Sequence, residues 1–166
     1  ASIGDIVTRR MEIVHIVHPY LEELSRQFQE TAHLVIWNSQ YDVIVADRVI
    51  GSSPISYKTV IGFITPAYTA ASGRILLAYT DPEHVEAYIR QADYSRFPEG
   101  LRSEQAFRTM LTTIRSVGFA ENEGDAIPGL SCYAVPLFDK LGRAVASLSI
   151  SGAQTNLNLH KSEMIA

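Results

Sequence analysis

The amino-acid sequence predicts a single α+β domain in which helices flank one mixed or antiparallel sheet. At 166 residues, of which 46% are hydrophobic, the chain has the size of one domain with a sizeable core. Its patterns follow one another as helix, antiparallel strands, helices and again antiparallel strands, without the βαβ alternation of a doubly wound fold. No internal repeat or Pro/Gly/Ser-rich linker marks a domain boundary.

Composition narrows the classes of function. The net charge is -4 and the Lys and Arg residues are scattered, so this chain by itself has no basic surface for nucleic acid. A single cysteine excludes an internal disulfide and fits a reducing compartment. No apolar run approaches the roughly 18 to 20 residues that cross a bilayer, and the N-terminus lacks a signal-peptide pattern. We therefore expect a cytoplasmic protein without membrane contact.

The N-terminal segment carries apolar residues at spacings of three and four between Ile3 and Phe28, interrupted only at Arg10, which predicts a helix. Pro19 predicts a break or kink near His18 and a fresh helix from Pro19 onward. Residues 1–18 are then a linker helix and residues 19–166 the main domain. The extra apolar side chains of this helix either cover its own sheet or serve as a connecting or dimerising surface.

Strand patterns follow. Residues 32–37 and 42–50 are apolar and β-branched and flank a polar turn, which predicts a hairpin. Residues 57–65 continue the strand pattern, with a bulge expected at Gly62 and an end at Pro66.

The next segment begins with small residues, Ala70 to Gly73, and predicts a helix with Thr69 as its N-cap. These small side chains either allow a ligand to approach the first-turn amides or allow the helix to pack tightly on the sheet. Residues 82–92 are predicted to be a helix capped by Asp81. Ser103 and Gly118 bound another helix, and a short strand and an acidic loop follow it.

The last hairpin joins residues 131–138 to residues 143–151, and period-2 alternation places Ser147, Ser149 and Ser151 on one face. A loop of two or four residues sets Cys132 opposite Ser149, whereas a three-residue loop with a glycine bulge sets it opposite Ile150. Only the first register builds a polar cluster, and the residues alone leave the choice open.

Signals for catalysis are weak. Cys132 has no histidine nearby in sequence and its neighbours are apolar, a setting in which a thiol is inert. The five histidines are dispersed without metal-ligand spacing, and no Gly-rich phosphate loop is present. We expect no enzyme, no metal and no cofactor, with a Cys132 nucleophile or a ligand-free interaction domain as the alternatives.

Five motifs follow one another along the chain: His18-Pro19-Tyr20-Leu21, Thr31-Ala32-His33-Leu34, Ala70-Ala71-Ser72-Gly73-Arg74, Gly129-Leu130-Ser131-Cys132 and Ser149-Ile150-Ser151-Gly152. Together they resemble the GAF-like effector-binding domain of IclR-type (isocitrate lyase regulator) bacterial transcription factors. The resemblance covers nearly the whole chain, and its most specific parts are the hairpin that ends in the last motif and the helix start at Ala70.

The resemblance implies a sensor of a small metabolite, a carboxylate or an aromatic acid, that forms a homodimer or homotetramer. It also implies that DNA is bound only through a winged helix-turn-helix domain outside this chain, as repressor or activator. The chain would then begin inside the linker helix and end before the C-terminal helix is complete. The register that sets Cys132 opposite Ser149 is favoured.

Carried over position by position, the implied effector site contains Tyr57, Ala71, Ser72, Cys132, Ser149 and Ser151. Two positions depart from the family pattern: Asn122 stands where many members have an acid, and Ala71 where glycine is common. With Tyr57, Tyr68 and Phe63 nearby, these departures predict a pocket for an uncharged or aromatic portion of the ligand.

Overall fold

The computed structural model describes residues 3–125 and 127–165, and its side chains from residue 11 to residue 164 within them. The helices are α1 Ile3–Phe28, α2 Ala71–Tyr79, α3 Pro82–Gln91, α4 Glu104–Val117 and α5 Gln154–Ile165. The strands are β1 Thr31–Trp37, β2 Asp42–Val49, β3 Ile64–Pro66, β4 Ala120–Glu123, β5 Leu130–Phe138 and β6 Ala144–Ala153. Two short 3-10 turns, Tyr94–Arg96 and Glu99–Leu101, join α3 to α4.

One six-stranded sheet runs in the order β3-β2-β1-β6-β5-β4, and every neighbouring pair is antiparallel. One face is covered by α2 and α4, whose fully buried Ile75, Leu76 and Phe107 form the main core. The opposite face is covered by α1 and α5, through Leu21 and Leu157. The predicted α+β fold class, with an antiparallel sheet flanked by helices, is confirmed.

The predicted N-caps of α3 and α4 and the predicted C-terminal end of α4 are confirmed. The Asp81 carboxylate accepts a hydrogen bond from the His84 amide at 2.8 Å, and the Ser103 hydroxyl accepts one from the Ala106 amide at 3.2 Å. Gly118 ends α4 in the left-handed region with φ 86°. These caps depend only on neighbouring residues, which is why the sequence predicts them.

The predicted break at Pro19 is wrong, because α1 runs without interruption through it. A proline inside a helix costs about 3 kcal/mol, and here packing on both sides of it offsets that cost. Val17 and Leu21 are buried against Leu34 and Ile36 of β1. The apolar positions Ile3 and Val7 lie outside the described side chains.

The strand predicted over residues 57–65 is also mostly wrong. Only Ile64–Pro66 pairs with β2, and Gly62 sits in a turn with φ 90° instead of a bulge within a strand. Val60 and Ile61 are 59% exposed, so their apolar side chains do not pack as a strand of the core would. Residues 57–63 instead lie over the sheet and contribute to a cavity described below.

A histidine on α1 ties this helix to β2. His18 Nδ1 lies 2.6 Å from Asp47 Oδ2, and Asp47 is buried. Asp47 faces α1 because a bulge between Val45 and Asp47 shifts the pairing of β1 with β2 by one residue. The hydrogen bond with Asp47 raises the pKa of His18 above 6.5, with a smaller contribution from Glu22.

This pair predicts a pH-dependent stability. A raised pKa means that the stabilisation is fully present below about pH 6.5 and is lost as the pH rises through the higher value in the folded state. We expect the unfolding free-energy difference between the wild type and Asp47→Asn to shrink between pH 6 and pH 9, measured by urea denaturation. Parallel pH profiles for the two proteins would contradict this prediction.

Candidate ligand-binding cavity

A row of small polar side chains forms the floor of a cavity on the α2 face of the sheet. Ser151 on β6 pairs with Cys132 on β5, and Ser149 on β6 pairs with His33 on β1. Cross-strand partners share a face, so the three strands present these four side chains together. All four are more than nine-tenths buried.

The register of the β5–β6 hairpin differs from both predicted alternatives. Asp139 and Arg143 close a three-residue loop, and Gly142 adopts φ 74°. That loop alone would have set Cys132 opposite Ile150, but the pairing shifts again beyond Leu137 because Val145 is unpaired. The prediction that Cys132 lies opposite Ser149 is wrong, since its partner is Ser151.

The three-residue loop and the unpaired Val145 each shift the pairing of β5 with β6 by one residue. Because side chains alternate between the two faces, a total shift of two residues leaves Cys132, Ser149 and Ser151 on one face. A bulge near the hairpin end therefore decides whether the serines face the cavity or the opposite helix layer.

The start of α2 and the segment 57–63 form the roof. Ala70, with extended dihedral angles, occupies the N-cap position and makes no side-chain cap hydrogen bond, so the prediction of Thr69 as N-cap is wrong. Thr69, Ala70 and Ser72 line the cavity. The Ser147 hydroxyl donates to the Ser72 carbonyl at 3.0 Å and fixes the helix start over β6.

The structure brings together six of the eight residues that the sequence predicted for the site, namely Tyr57, Ser72, Asn122, Cys132, Ser149 and Ser151. Ala71 is fully buried in the core between α2 and the sheet. Tyr68 points away, stacks on Phe97 with ring centroids 3.8 Å apart, and donates to the Arg96 carbonyl. The small residue at the cavity is Ala70, one position before the predicted Ala71.

Asn122 connects the roof to a loop. Its amide nitrogen donates to the Thr69 carbonyl at 3.0 Å, and its amide oxygen accepts from the Asp125 backbone amide at 3.0 Å. Both polar atoms thus have protein partners, and the side chain joins the α2 start to Asp125. The side chain also leaves this position without a negative charge.

The cavity has a volume of about 250 Å³, below the roughly 300–1,000 Å³ of pockets for drug-sized ligands. Among its described lining residues, none is Asp, Glu, Lys or Arg. Burial, and to a smaller extent the positive charge of Arg48, lowers the pKa of His33 to about 4. At neutral pH the lining therefore carries no formal charge, and it would hold a small ligand through hydrogen bonds and apolar contact.

The chemistry of Cys132 opposes a nucleophilic role. Burial raises the pKa of the thiol, and hydrogen bonds from Ser151 and Ser149 only partly oppose this effect. The lining histidine, His33, is two strands away, a distance of roughly 10 Å. That separation is too long for direct proton transfer from the thiol.

His33 and Thr59 also line the cavity, although the sequence did not predict them as site residues. His33 Nε2 and Thr59 Oγ1 are both buried without a hydrogen-bond partner. An unpartnered buried polar atom is unusual in folded proteins and marks a place where a ligand or water completes the site. The period-2 alternation of β1 would have indicated His33 once its strand was known to lie beside β6.

Within residues 3–125 and 127–165, His, Cys, Asp and Glu side chains nowhere gather in a group of three or more that suits a metal ion. None of the helices described there combines the length and apolar character that a bilayer crossing requires.

Comparison with known proteins identifies related domains. A family model described as the bacterial transcriptional regulator IclR C-terminal domain matches residues 6–166. The chain is 29% identical over 151 residues to the HTH-type transcriptional regulator KdgR of Escherichia coli (strain K12), covering 90% of the chain and 57% of that regulator. It is 29% identical over 155 residues to the HTH-type transcriptional regulator BhcR of Paracoccus denitrificans (strain Pd 1222), covering 90% of the chain and 53% of that regulator. The chain thus spans just over half the length of these relatives.

Solved structures of regulators with these names have the same fold as this chain. The crystal structure of the Thermotoga maritima IclR superimposes with a TM-score of 0.85 at 27% identity, over 98% of this chain and 66% of that one. The crystal structure of the C-terminal domain of E. coli KdgR superimposes with a TM-score of 0.76 at 28% identity, over 92% of this chain and 90% of that one.

Proposed function

The chain belongs to the IclR family of bacterial transcriptional regulators, as their C-terminal effector-binding domain, and from this premise we propose that its cavity binds a small monocarboxylic metabolite, aliphatic or aromatic. Occupancy is read out through rearrangement of a homodimer or homotetramer. DNA is contacted by a region of the full-length protein outside this chain, and the protein acts in the cytoplasm.

The observation that carries this proposal is the buried polar floor beneath the start of α2. The first-turn amides of a helix have no intrahelical acceptor and lie at the positive end of its dipole, so they favour a carboxylate. The hydroxyls of Ser149 and Ser151 face the same space and donate to the second oxygen. No lysine or arginine is required, because these neutral donors together stabilise one negative charge.

Beyond the serines the cavity becomes apolar. Val35, Val43 and Val45 continue the floor on β1 and β2, and Phe63 also lines the cavity. This wall suits the hydrocarbon part of a ligand and supplies most of the buried apolar area. None of the described residues that line the cavity supplies a cation for a second carboxylate, so the proposal is confined to monocarboxylates.

Binding is tested by calorimetry with a panel of small aliphatic and aromatic monocarboxylates. We expect Ser149→Ala combined with Ser151→Ala to weaken binding of every acid that binds the wild type by roughly a hundredfold, through loss of two hydrogen bonds to the carboxylate. Ser116→Ala on the exposed face of α4 is the matched control and should bind as the wild type does. An acid bound equally by the double variant would contradict the assignment of the site.

The route from the cavity to α1 is short. Val35 of β1 faces the cavity, whereas its neighbours Leu34 and Ile36 pack against Val17 and Leu21 of α1. A ligand that binds one arrangement of these strands more tightly shifts the equilibrium by that difference in affinity. The α1 helix is therefore the element that carries occupancy to the rest of the regulator.

An exposed apolar surface on α1 and the β5–β6 hairpin supports self-association. We name it the α1–hairpin surface; it contains Ile16, Tyr20, Phe138 and Val145, which are 64%, 59%, 52% and 39% exposed. These residues line one groove of about 720 Å³. Contiguous exposed apolar surface of this kind is typical of protein interfaces.

Placing a charge on the α1–hairpin surface should disrupt the oligomer. We expect Ile16→Glu to weaken self-association by roughly tenfold, since an apolar contact is replaced by a desolvated carboxylate. Sedimentation velocity across a concentration series measures this effect. Leu159→Glu on α5, where Leu159 is 82% exposed, is the control. An unchanged association constant for Ile16→Glu would contradict the proposed interface.

A further inference from the structure

A second cavity is lined by Tyr68, whose side chain points away from the ligand-binding cavity described above. It has a volume of about 250 Å³ and lies where the start of β2, the segment before α2, the end of α3 and the first 3-10 turn meet. None of its described lining residues also lines the ligand-binding cavity. We name it the tyrosine cavity, after Tyr41, Tyr68 and Tyr88.

Aromatic rings contribute most of the apolar lining of the tyrosine cavity. Tyr88 and Phe97, which are 4% and 3% exposed, form its buried part. Tyr68 stacks on Phe97, and the ring centroids of Tyr41 and Tyr88 are 5.8 Å apart. Tyrosine rings attract cations through the negative potential of their faces. The lining therefore suits a ligand that carries a positive charge next to an apolar part.

The charged residues of the tyrosine cavity favour the same sign of ligand charge. Asp42 and Asp93 contribute two carboxylates and Arg96 one guanidinium, which gives the described lining a formal net charge of -1. Within the described residues, the hydrogen bonds to these carboxylates come from the uncharged residues Ser39 and Ser95. The hydrogen bonds from Ser95 lower the pKa of Asp93, which is therefore ionised at neutral pH. One positive charge on a ligand balances this lining.

The Tyr88 hydroxyl has unused hydrogen-bonding capacity at the tyrosine cavity. It accepts a hydrogen bond from the Tyr68 amide at 3.2 Å and makes no other within the described residues. A hydroxyl oxygen can accept two hydrogen bonds, so one acceptor position stays open in a side chain that is almost fully buried. Burial raises the pKa of Tyr88, and the charge of the Asp42 carboxylate adds to this effect. The hydroxyl and this carboxylate are thus near enough to interact, and both accept hydrogen bonds.

We propose that the tyrosine cavity is a second ligand site, which binds the protonated amino group of a small primary amine. An alkylammonium group has three N–H donors and no acceptor. It meets three kinds of acceptor here, the carboxylates of Asp42 and Asp93 and the hydroxyl of Tyr88. The hydrocarbon part of the amine packs on Phe97 and the tyrosine rings. This site is independent of the proposed carboxylate site.

Charge and hydrogen bonding together select the ammonium group against other small ligands. A carboxylic acid, ionised at pH 7, is repelled by two carboxylates and attracted by a single guanidinium. An alcohol of the same shape as the amine donates one hydrogen bond instead of three and leaves the charge of the lining unbalanced. The ammonium group is the one of the three that satisfies both requirements.

Two matched pairs of compounds test the inference by NMR titration at pH 7 and constant ionic strength. One pair is propylammonium and 1-propanol; the other is benzylammonium and benzyl alcohol. Within at least one pair we expect the ammonium ion to bind roughly tenfold more tightly than the alcohol, because it makes hydrogen bonds to charged groups. The amide signals of Tyr41, Tyr68 and Asp93 should shift during the titration.

Nearly isosteric variants assign the binding to the tyrosine cavity. Asp42→Asn and Asp93→Asn each remove one negative charge, and each should weaken binding of the ammonium ion by roughly tenfold. Tyr88→Phe should weaken it several-fold through loss of the hydroxyl. Glu83→Gln, on the exposed side of α3 and outside the lining, is the matched control and should bind as the wild type does. Thermal unfolding without ligand verifies folding, and the exposed Asp93 keeps the test valid if a more buried variant does not fold.

The outcomes separate this site from the carboxylate site. Ser149→Ala combined with Ser151→Ala should bind the ammonium ions as the wild type does, and a loss of binding in that variant would place the amine in the other cavity and overturn the inference. Failure of both ammonium ions to bind, or equal binding of ammonium ion and alcohol in both pairs, also overturns it. So does ammonium binding that is unchanged in Asp42→Asn and in Asp93→Asn.

Discussion

Gly73→Ala is expected to destabilise the domain by about 3 kcal/mol, the upper end of the range for overpacking. In most helix interiors the same change stabilises, by up to about 1 kcal/mol, through helix propensity. Here a Cβ on Gly73 would clash with the Ala67 carbonyl oxygen and would lie 2.6 Å from the Ala67 Cα. Both are backbone atoms that cannot rotate away, so α2 has to move.

Thermal unfolding measures the effect, and the expected fall in Tm is roughly 6–12 °C. Since Ala70 and Ser72 lie in the roof of the cavity, the same shift should also weaken binding of carboxylates. Gly100→Ala is the matched control, because nothing lies within 4 Å of its added Cβ. A Gly73→Ala protein within 0.5 kcal/mol of the wild type, roughly the range of neutral surface changes, would show that the contact relaxes freely.

The close contact at Gly73 helps to decide between the two roles predicted for the small residues at the start of α2, ligand approach and tight packing. The sequence left open whether Ala70 to Gly73 serve a ligand or packing, and the structure divides the roles by residue. Gly73 and the fully buried Ala71 face the protein core, whereas Ala70 and Ser72 face the cavity. Helical geometry distributes successive residues around the axis, so a single run of small residues serves both purposes.

Gly152, at the end of the Ser149-Ile150-Ser151-Gly152 motif, shows a similar division. Its added Cβ would meet the carboxylate of Glu30, which is 1% exposed and accepts a hydrogen bond from Asn156. Burial raises the pKa of Glu30. The glycine of the motif is therefore explained by packing behind the floor, and its two serines by the cavity in front.

Sequence reasoning predicted the features that local chemistry determines. The caps of α3 and α4, the existence of the two hairpins and the shared face of Ser149 and Ser151 depend on residues close in the chain. The continuation of α1 through Pro19 depends instead on packing against β1, and the pairing of Cys132 with Ser151 depends on an unpaired Val145. Such tertiary and bulge effects leave no reliable local pattern.

Residues distant in the chain also decide which side chains reach the cavity. Phe97, the stacking partner that turns Tyr68 away, is 29 positions further along the chain. His33 reaches the cavity because β1 lies next to β6, a pairing between distant parts of the chain. Six of the predicted residues converge because the hairpin and the α2 start are each short, local units.

The ion pair between Arg74 and Asp125 should have the second large effect on stability. Arg74 is 3% exposed, and its Nη1 lies 2.7 Å from Asp125 Oδ2. Its Nε donates to the Tyr68 carbonyl at 2.8 Å, while Nη2 is buried without a partner. Removing the carboxylate leaves a buried guanidinium charge without its ion-pair partner.

Breaking a buried ion pair costs about 3–5 kcal/mol, and Asp125 is 36% exposed. Solvent screening therefore reduces the expected loss for Asp125→Ala to about 2–3 kcal/mol. Chemical denaturation measures it, with Glu86→Ala as the control. Glu86 pairs with Arg108 at 2.6 Å on the surface, where the loss should be much smaller.

A double-mutant cycle separates the cost of the unpaired Arg74 charge from the other effects of removing the Asp125 side chain. If the uncompensated guanidinium is responsible, Arg74→Met combined with Asp125→Ala should be more stable than the sum of the single changes predicts, by at least about 1 kcal/mol. Simple additivity would contradict this explanation. Asp125 lies two positions before Ile127, which lines the cavity. Asp125→Ala should therefore also weaken carboxylate binding, because the ion pair with Arg74 of α2 holds Asp125 beside the cavity.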